Sequence, residues 1–205
     1  MLEQVSNFDY AEIEKNAKNL KSVLDETEKI RVVNADGTDV TFTKKGIDSS
    51  VCCGKWNLLD GEVYTAPEKY SMNGEIYFSF DTFFRGQTYK NIWVKVRDGS
   101  DDGSRYFGEF AFGLNPYIER NYNDNLFNEK MIKTVHFAIG EPHYNTNNGN
   151  KSIMHWDLIV NMQNGGEIYF DDVLVQKDGI FIDERLLDLN YNNKNQNTKK
   201  LVKKN

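Results

Sequence analysis

The three histidines of this 205-residue chain all lie in one short segment, between positions 136 and 157. His136 and His143 come first, and His155 is followed two residues later by Asp157. Asparagine and glycine are frequent between the histidines, as is typical of a loop between two strands. Imidazole nitrogens and carboxylate oxygens are ligands that zinc and cobalt prefer. The clustering therefore predicts a functional site, with metal binding as its chemistry.

Two glutamates elsewhere in the chain stand in surroundings that suit a metal ligand. Glu62 begins the run EVYTAP after a turn, and Glu109 lies within FGEFAFG. A carboxylate among phenylalanines is costly to bury unless it is paired or binds a metal. Glu109 is therefore either a buried ligand or a residue on the wet face of a strand whose phenylalanines point inward, and the pattern leaves both open. Two metals a few ångströms apart need about five or six ligands, with at least one carboxylate between them.

Other chemistries find less support in the sequence. Cys52 and Cys53 are adjacent and lack a CxxC partner, so we expect buried free thiols. There is no phosphate-binding loop, dinucleotide fingerprint or GxSxG motif. A mononuclear iron oxygenase built on His155 and Asp157 needs a histidine well downstream of the pair, and none follows residue 155.

The composition favours a strand-rich protein that acts on neither nucleic acid nor membranes. Aromatic residues make up 13% of the chain, and they suit half-buried sheet surfaces. The formal charge of −6 argues against nucleic-acid binding, which needs a basic surface. No run approaches the roughly 18 apolar residues of a membrane span, and no apolar signal segment is visible. We expect a soluble, cytoplasmic protein.

The elements that must position the candidate ligands are mostly short strands. Apolar residues at spacings of three and four predict a helix over residues 9–29, with Asp9 as its N-cap and Glu12 completing a capping box. Asp36 and Gly37 predict a hairpin turn, and residues 85–86 a second turn. Residues 128–132 fit a turn or a short helix, and residues 153–162 a strand or a short helix. Strands are predicted at residues 30–33, 40–43, 75–80, 91–97, 107–114, 134–139, 167–170, 173–176 and 180–181.

Together these elements predict an α+β fold, mostly antiparallel, with one N-terminal helix and few short helices. We expect the helix to occupy residues 1–29 and the functional domain residues 30–189. Residues 190–205 are rich in asparagine and lysine, have almost nothing to bury, and are expected to be disordered.

Six runs of the sequence resemble the catalytic domain of the thermophilic-type metallo-aminopeptidases, the aminopeptidase T and aminopeptidase S family. They occur in the order of the family and cover roughly residues 31–181, so the signal is far more specific than any one motif. The runs are DGTDVTF (36–42), DGEVYTAP (60–67), GEFAFGLNPYI (108–118), NEKMIKTVHFAIG (128–140), GNKSIMHWDLI (149–159) and GEIYFDDVLVQKDGIF (166–181).

The resemblance implies a two-metal aminopeptidase. Its ligands would be Glu62, Glu109, His136, His155 and Asp157, holding two divalent ions of zinc, cobalt or magnesium. Its activity would be the removal of N-terminal amino acids from peptides, with Glu62 or Glu109 shuttling the proton. The resemblance further implies a homodimer with a peptide as substrate.

Three departures from the family pattern bear on this expectation. Family members are about twice as long, with an N-terminal α/β domain, so an inactive metal-binding remnant is the alternative function. The family tyrosine seven residues after the first histidine is His143 here; either the loop shifts to bring in Tyr144 as a catalytic residue, or His143 substitutes. The family's Asp-Glu-Lys reads Asn128-Glu129-Lys130, which loses one carboxylate.

Overall fold

The computed structural model describes residues 9–55, 59–97, 106–118, 120–122 and 124–191. The predicted loop over residues 98–104 lies outside the described residues, and so do residues 192–205 of the predicted disordered tail. The described part confirms the α+β class, with antiparallel sheets and one long N-terminal helix. No helix in these ranges is long and apolar enough to span a membrane.

Helix α1 spans Tyr10–Glu26 and begins at the predicted cap. The Asp9 carboxylate accepts a hydrogen bond from the backbone N–H of Glu12, which satisfies one of the free amides of the first turn. The helix ends earlier than position 29 because the β-branched residues that follow pair as a strand. Its buried face joins the main core and contacts the strands Ser50–Cys52 and Glu62–Thr65.

Fourteen strands lie within the described residues, in two sheets and a hairpin. The larger sheet has the order β14-β13-β12-β1-β2-β5-β8, formed by β1 (Lys29–Val33), β2 (Asp39–Thr43), β5 (Asn73–Phe78), β8 (Ile92–Val96), β12 (Glu167–Phe170), β13 (Val173–Lys177) and β14 (Ile180–Phe181). The smaller sheet has the order β11-β10-β9-β4-β3, formed by β3 (Ser50–Cys52), β4 (Glu62–Thr65), β9 (Phe107–Gly113), β10 (Thr134–Gly140) and β11 (His155–Asn161). The hairpin consists of β6 (Thr82–Phe84) and β7 (Gln87–Tyr89).

The main core lies between the two sheets and is rich in aromatic residues. Phe42 of the larger sheet contacts Phe110 of the smaller one edge to face, with ring centroids 5.1 Å apart. Phe78 and Phe137 make a second contact of this kind between the sheets, and Phe112 and Phe170 a third. Such aromatic pairs add about 0.5–1.5 kcal/mol each beyond the area they bury. The smaller sheet is thereby held with one apolar face inward.

The structure decides between the alternatives in both regions left open by the sequence. The segment 128–132 is mostly turn and follows a short helix, α2 (Asn125–Asn128), which is capped by Asp124. The segment before Met162 is strand β11, and the turn at residues 85–86 closes the β6–β7 hairpin. Cys52 and Cys53 are buried and free, as predicted.

Candidate metal centre

The smaller sheet carries the candidate site on the face opposite its apolar one. Residues that pair directly in an antiparallel ladder point to the same face. Glu109 pairs with Ala138, and Ala138 pairs with Asp157 on the far strand. His136 pairs with Ala111, two residues along β9 from Glu109, so it shares that face. Alternation therefore separates these side chains from the phenylalanines of the core.

Glu109 is buried, and its two carboxylate oxygens point to different histidines. Its side chain is 2% exposed. Oε1 lies 2.9 Å from Nε2 of His136, whereas Oε2 lies 2.9 Å from Nε2 of His143 and 3.5 Å from Nε2 of His155. Glu109 does lie on the face of the strand opposite to the phenylalanines, as alternation predicts. That face is covered by other residues of the site, so Glu109 is buried and not exposed to solvent.

Glu62 is the first residue of β4 and makes an ion pair with a buried lysine. Lys130 Nζ lies 2.5 Å from Oε2 of Glu62 and 3.0 Å from Oε1 of Glu129. Gly113 of β9 allows this approach, because a Cβ there would lie 2.1 Å from the backbone oxygen of Met131. The motif Asn128-Glu129-Lys130 was noted in the sequence only because it lacks a carboxylate at position 128. No pattern in the sequence predicted that Glu129 and Lys130 lie inside the site.

His155 is held so that one ring nitrogen faces the site. Its Nδ1 lies 2.6 Å from the backbone oxygen of Glu141, which fixes Nδ1 as the donor. Nε2 then faces the carboxylates, 3.2 Å from Oδ1 of Asp157. A backbone carbonyl on the second nitrogen is the usual partner of a metal-binding histidine, and it orients the ring for its ligand.

The loop between β10 and β11 brings His143, and not Tyr144, against the buried glutamate. His143 is half-exposed and touches Glu109, while its ring packs 4.8 Å from the Tyr64 ring, centroid to centroid. Tyr144 lines the rim, and 93% of its surface is exposed. In this loop register, the position of the family tyrosine is filled by a histidine.

The carboxylates of the site have unequal proton affinities. Burial raises the pKa of Glu62, although Lys130 opposes it. Burial also raises the pKa of Glu129, to about 7. Burial would do the same to Glu109, but hydrogen bonds from His136 and His143 outweigh it and lower the pKa of Glu109. Of these three glutamates, Glu109 is therefore held most firmly in its anionic form.

The histidines show the complementary effect. Burial alone would lower the pKa of His136 and of His155. Contact with Glu109 overcomes burial and raises the pKa of His136 to about 9. Contact with Asp157 raises the pKa of His155 to about 10. The carboxylates thus create a potential that favours bound cations.

The five predicted ligands line one open cleft, with a volume of about 530 Å³. Four carboxylates face a single lysine among the described residues that line it. The lining residues are Cys52, Glu62, Tyr64, Glu109, Glu129, Lys130, His136, His143, Tyr144, Asn145, His155 and Asp157.

The side chains of the cleft fit divalent metal ions. Glu62, Glu109 and His136 offer ligand atoms that all lie within 4.8 Å of one another, and so do Glu109, His143 and His155. Nδ1 of His136 is buried and has no hydrogen-bond partner within the described part of the chain. Imidazole and carboxylate together form a donor set that suits zinc and cobalt. A bound divalent ion would stabilise these buried carboxylates, which are costly to bury without a partner.

Comparison with known proteins identifies the family. The family model described as thermophilic metalloprotease (M29) matches residues 7–100 and 100–179. No curated protein matches the chain. Among solved structures, wild-type AmpT from Thermus thermophilus is similar with a TM-score of 0.72 and 17% identity, over 84% of this chain and 55% of AmpT. The 2,5-dihydroxypyridine dioxygenase from Pseudomonas putida KT2440 is similar with a TM-score of 0.67 and 14% identity, over 85% of this chain and 61% of that enzyme.

The two solved structures share the fold with this chain, which spans only 55% and 61% of their lengths. The family model, by contrast, covers most of the chain, including all five predicted ligand positions. The chain therefore belongs to the thermophilic metalloprotease family M29.

Proposed function

We propose that this chain is a metal-dependent aminopeptidase that removes N-terminal amino acids from peptides by means of two divalent ions. The observation that carries the proposal is the placement of Glu109. Its two oxygens face opposite sides of the site, one toward His136 and one toward His155. A carboxylate placed between two groups of ligands is the arrangement that a two-metal hydrolase requires.

The proposed ligands are the five that the resemblance implied. Glu62 and His136 lie on the inner side of Glu109, 3.6 Å apart, while His155 and Asp157 lie on the outer side. Bound divalent ions would polarise the scissile carbonyl and make a water molecule acidic enough to attack it at neutral pH. Zinc and cobalt suit this donor set better than magnesium does, because the set includes imidazole.

The cleft offers an acceptor for a free amino terminus. Glu129 lines it and belongs to neither group of candidate ligands, so its carboxylate stays available to a peptide α-amine in the cleft when the ions are bound. The volume of the cleft, about 530 Å³, lies within the usual range for a small-ligand site and suits the end of a peptide.

Proton transfer has three candidate carboxylates. Glu62 and Glu109 were the candidates from sequence, but both belong to the groups of candidate ligands, so bound ions would occupy their oxygens. Glu129 lines the same cleft, and its pKa of about 7 lies where a general base works best at neutral pH. We expect Glu129 to share or carry the proton transfer.

The test is hydrolysis of leucine- or methionine-p-nitroanilide by the purified chain with added zinc or cobalt. We expect turnover that disappears with a chelator and returns with the metal. The variant His155→Ala removes a proposed ligand of the outer ion and should lose that ion and turnover together. Two metals per chain with no turnover at any metal concentration would instead support the inactive remnant.

A mononuclear iron oxygenase is a second candidate, because this fold is shared with a dioxygenase. The sequence argued against it, since no histidine follows His155. The fold removes that argument by placing the upstream His143 with its ring centroid 4.9 Å from that of His155. The buried glutamates Glu62 and Glu109 favour the two-metal alternative, because an iron triad needs only one carboxylate. One iron per chain and oxygen consumption with a dihydroxypyridine would favour the oxygenase.

A further inference from the structure

The position of His143 has a consequence for the metal centre. Glu109 Oε2 is 2.9 Å from Nε2 of His143 and 3.5 Å from Nε2 of His155. The three side chains form one of the two groups whose ligand atoms lie within 4.8 Å of one another. The other group, with Glu62 and His136, shares only Glu109 with it.

The loop holds His143 in this place through several contacts. Its ring packs between Tyr64 and His155, at centroid distances of 4.8 Å and 4.9 Å. Its backbone oxygen accepts a hydrogen bond from the N–H of Thr146 in the short 3-10 helix that follows. Asn148 donates hydrogen bonds to two backbone oxygens outside the loop, at 2.8 Å and 3.0 Å.

Asn150 anchors the far end of the loop. It is 2% exposed, and its side chain donates to the backbone oxygen of Gly140 at the end of β10. The loop is therefore tied to the sheet between His143 and His155. These hydrogen bonds fix the loop and do not involve the imidazole of His143. The loop therefore holds His143 near Glu109 independently of the contact between the two side chains.

We propose that His143 is a metal ligand, and that with Glu109 and His155 it forms the outer of two sites. The proposal rests on the metal centre of the proposed function and goes beyond the five ligands that the resemblance implies. The family pattern has a tyrosine at this position, which binds a metal only after losing a proton with a pKa near 10. An imidazole has an ordinary pKa near 6.5, so a metal ion displaces its proton far more easily than it displaces the proton of a phenol. The outer site therefore has two imidazoles, and it selects zinc or cobalt over magnesium.

The test compares His143→Phe with the unchanged chain. Phenylalanine keeps a ring between Tyr64 and His155 but removes the nitrogen. After removal of bound metal with a chelator, zinc binding is measured by titration calorimetry and counted by metal analysis. We expect two binding events in the unchanged chain. In the variant, one event should stay within about threefold, while the other weakens by more than about 100-fold, since even indirect partners of a ligand contribute about 10–100-fold.

A further measurement and a control variant make the outcome independent of activity. Cobalt replaces zinc, and the visible absorption that the second equivalent adds should change in His143→Phe, while that of the first is retained. Ile153→Ala, at a side chain of the same loop that is 97% exposed, is the matched control and should behave as the unchanged chain does. If His143→Phe does not fold by circular dichroism, His143→Ala takes its place.

The inference is overturned if the variant keeps both zinc events within threefold, if it loses both equally, or if the unchanged chain binds fewer than two ions. These results are distinct from a failure of the proposed function. A chain that binds two metals, loses one in His143→Phe and hydrolyses no peptide would support the ligand and contradict the peptidase. A chain that hydrolyses peptides and whose variant keeps both metals would support the peptidase and contradict the assignment of His143 as a ligand.

Discussion

The carboxylate of Glu109 and the imidazole of His136 meet across adjacent strands, with Oε1 2.9 Å from Nε2 and both side chains almost wholly buried. The two residues are not direct partners in the ladder, because Glu109 pairs with Ala138 and His136 with Ala111. The small side chains of the two alanines leave room for the longer pair to meet above the sheet. A charged contact at the centre of the site thus depends on the register of β9 and β10.

This relationship predicts the effect of Glu109→Gln on metal binding. The amide is a poorer ligand than the carboxylate, and Glu109 faces both groups of candidate ligands. We expect both zinc-binding events to weaken by more than about 100-fold, with loss of peptidase activity. Titration calorimetry and the p-nitroanilide assay measure the two effects. Glu75→Gln, at an exposed ion pair of the other sheet, is the control and should change neither zinc binding nor activity. Tight binding of both ions by Glu109→Gln would show that Glu109 is not a ligand common to the two ions.

Lys130 is expected to stabilise the metal-free protein by neutralising two buried carboxylates. In Lys130→Met, Glu62 and Glu129 lose the lysine that pairs with both of them, and Glu62 keeps only the longer contact of 3.6 Å with His136 among the described residues. Leaving buried charges without a partner costs about 3–5 kcal/mol, which urea unfolding at pH 8 would measure. Lys95→Met, which breaks an exposed pair, should cost less than about 1 kcal/mol.

The loss of unfolding free energy in Lys130→Met should depend on pH, and the direction of this dependence follows from the pKa values of Glu62 and Glu129. Burial raises their pKa values above those of the unfolded chain, to about 7 for Glu129. A group whose pKa is higher in the folded chain than in the unfolded chain favours folding at pH values below its unfolded pKa. That contribution to the free energy of unfolding is lost as the pH rises through the folded pKa. The variant should therefore be least stable at pH 8 and recover toward pH 5. An equal loss at both pH values would contradict this account.

Zinc affinity should increase with pH. The carboxylates raise the pKa of His136 to about 9 and that of His155 to about 10 in the metal-free protein. Since a protonated imidazole cannot bind a metal, each ion must displace these protons. We expect the apparent zinc affinity to rise from pH 6 toward pH 9, by up to about tenfold per pH unit for each proton released. Competition with a coloured chelator measures it, and a flat profile would mean that these histidines are neutral or are not ligands.

Glu129→Gln tests proton transfer separately from metal binding. The side chain lines the cleft and contacts Lys130, but it belongs to neither group of candidate ligands. We expect kcat to fall by about 100-fold or more, with two zinc ions still bound. Glu68→Gln, at a carboxylate that accepts a hydrogen bond from Thr43 in the larger sheet, is the control for a general loss of charge. Unchanged kcat in Glu129→Gln would return the proton transfer to Glu62 or Glu109.

Much of the fold could be predicted from the sequence because the local signals agree with one another. Alternating apolar residues locate β9 and β10, and a helical spacing after Asp9 locates α1. The ordered motifs pointed to the family that the comparison identified. The ends of elements were less certain, because they depend on pairing with distant strands, as at the end of α1.

The candidate site shows where local pattern stops being sufficient. Alternation determines that Glu109 and the phenylalanines beside it point to opposite faces, but it contains no information about what covers each face. The covering side chains come from positions 20 to 50 residues away, namely Glu62, Lys130 and His143.

The sequence by itself determined the types of side chain at this site: three histidines, several carboxylates and a fold class that brings strands together. Only the tertiary structure decided that His143 rather than Tyr144 faces Glu109, and that Lys130 lies among the carboxylates. The physical reason is that the register of paired strands and the anchoring of the loop by Asn148 and Asn150 are long-range contacts. Such contacts set the distances on which metal binding depends.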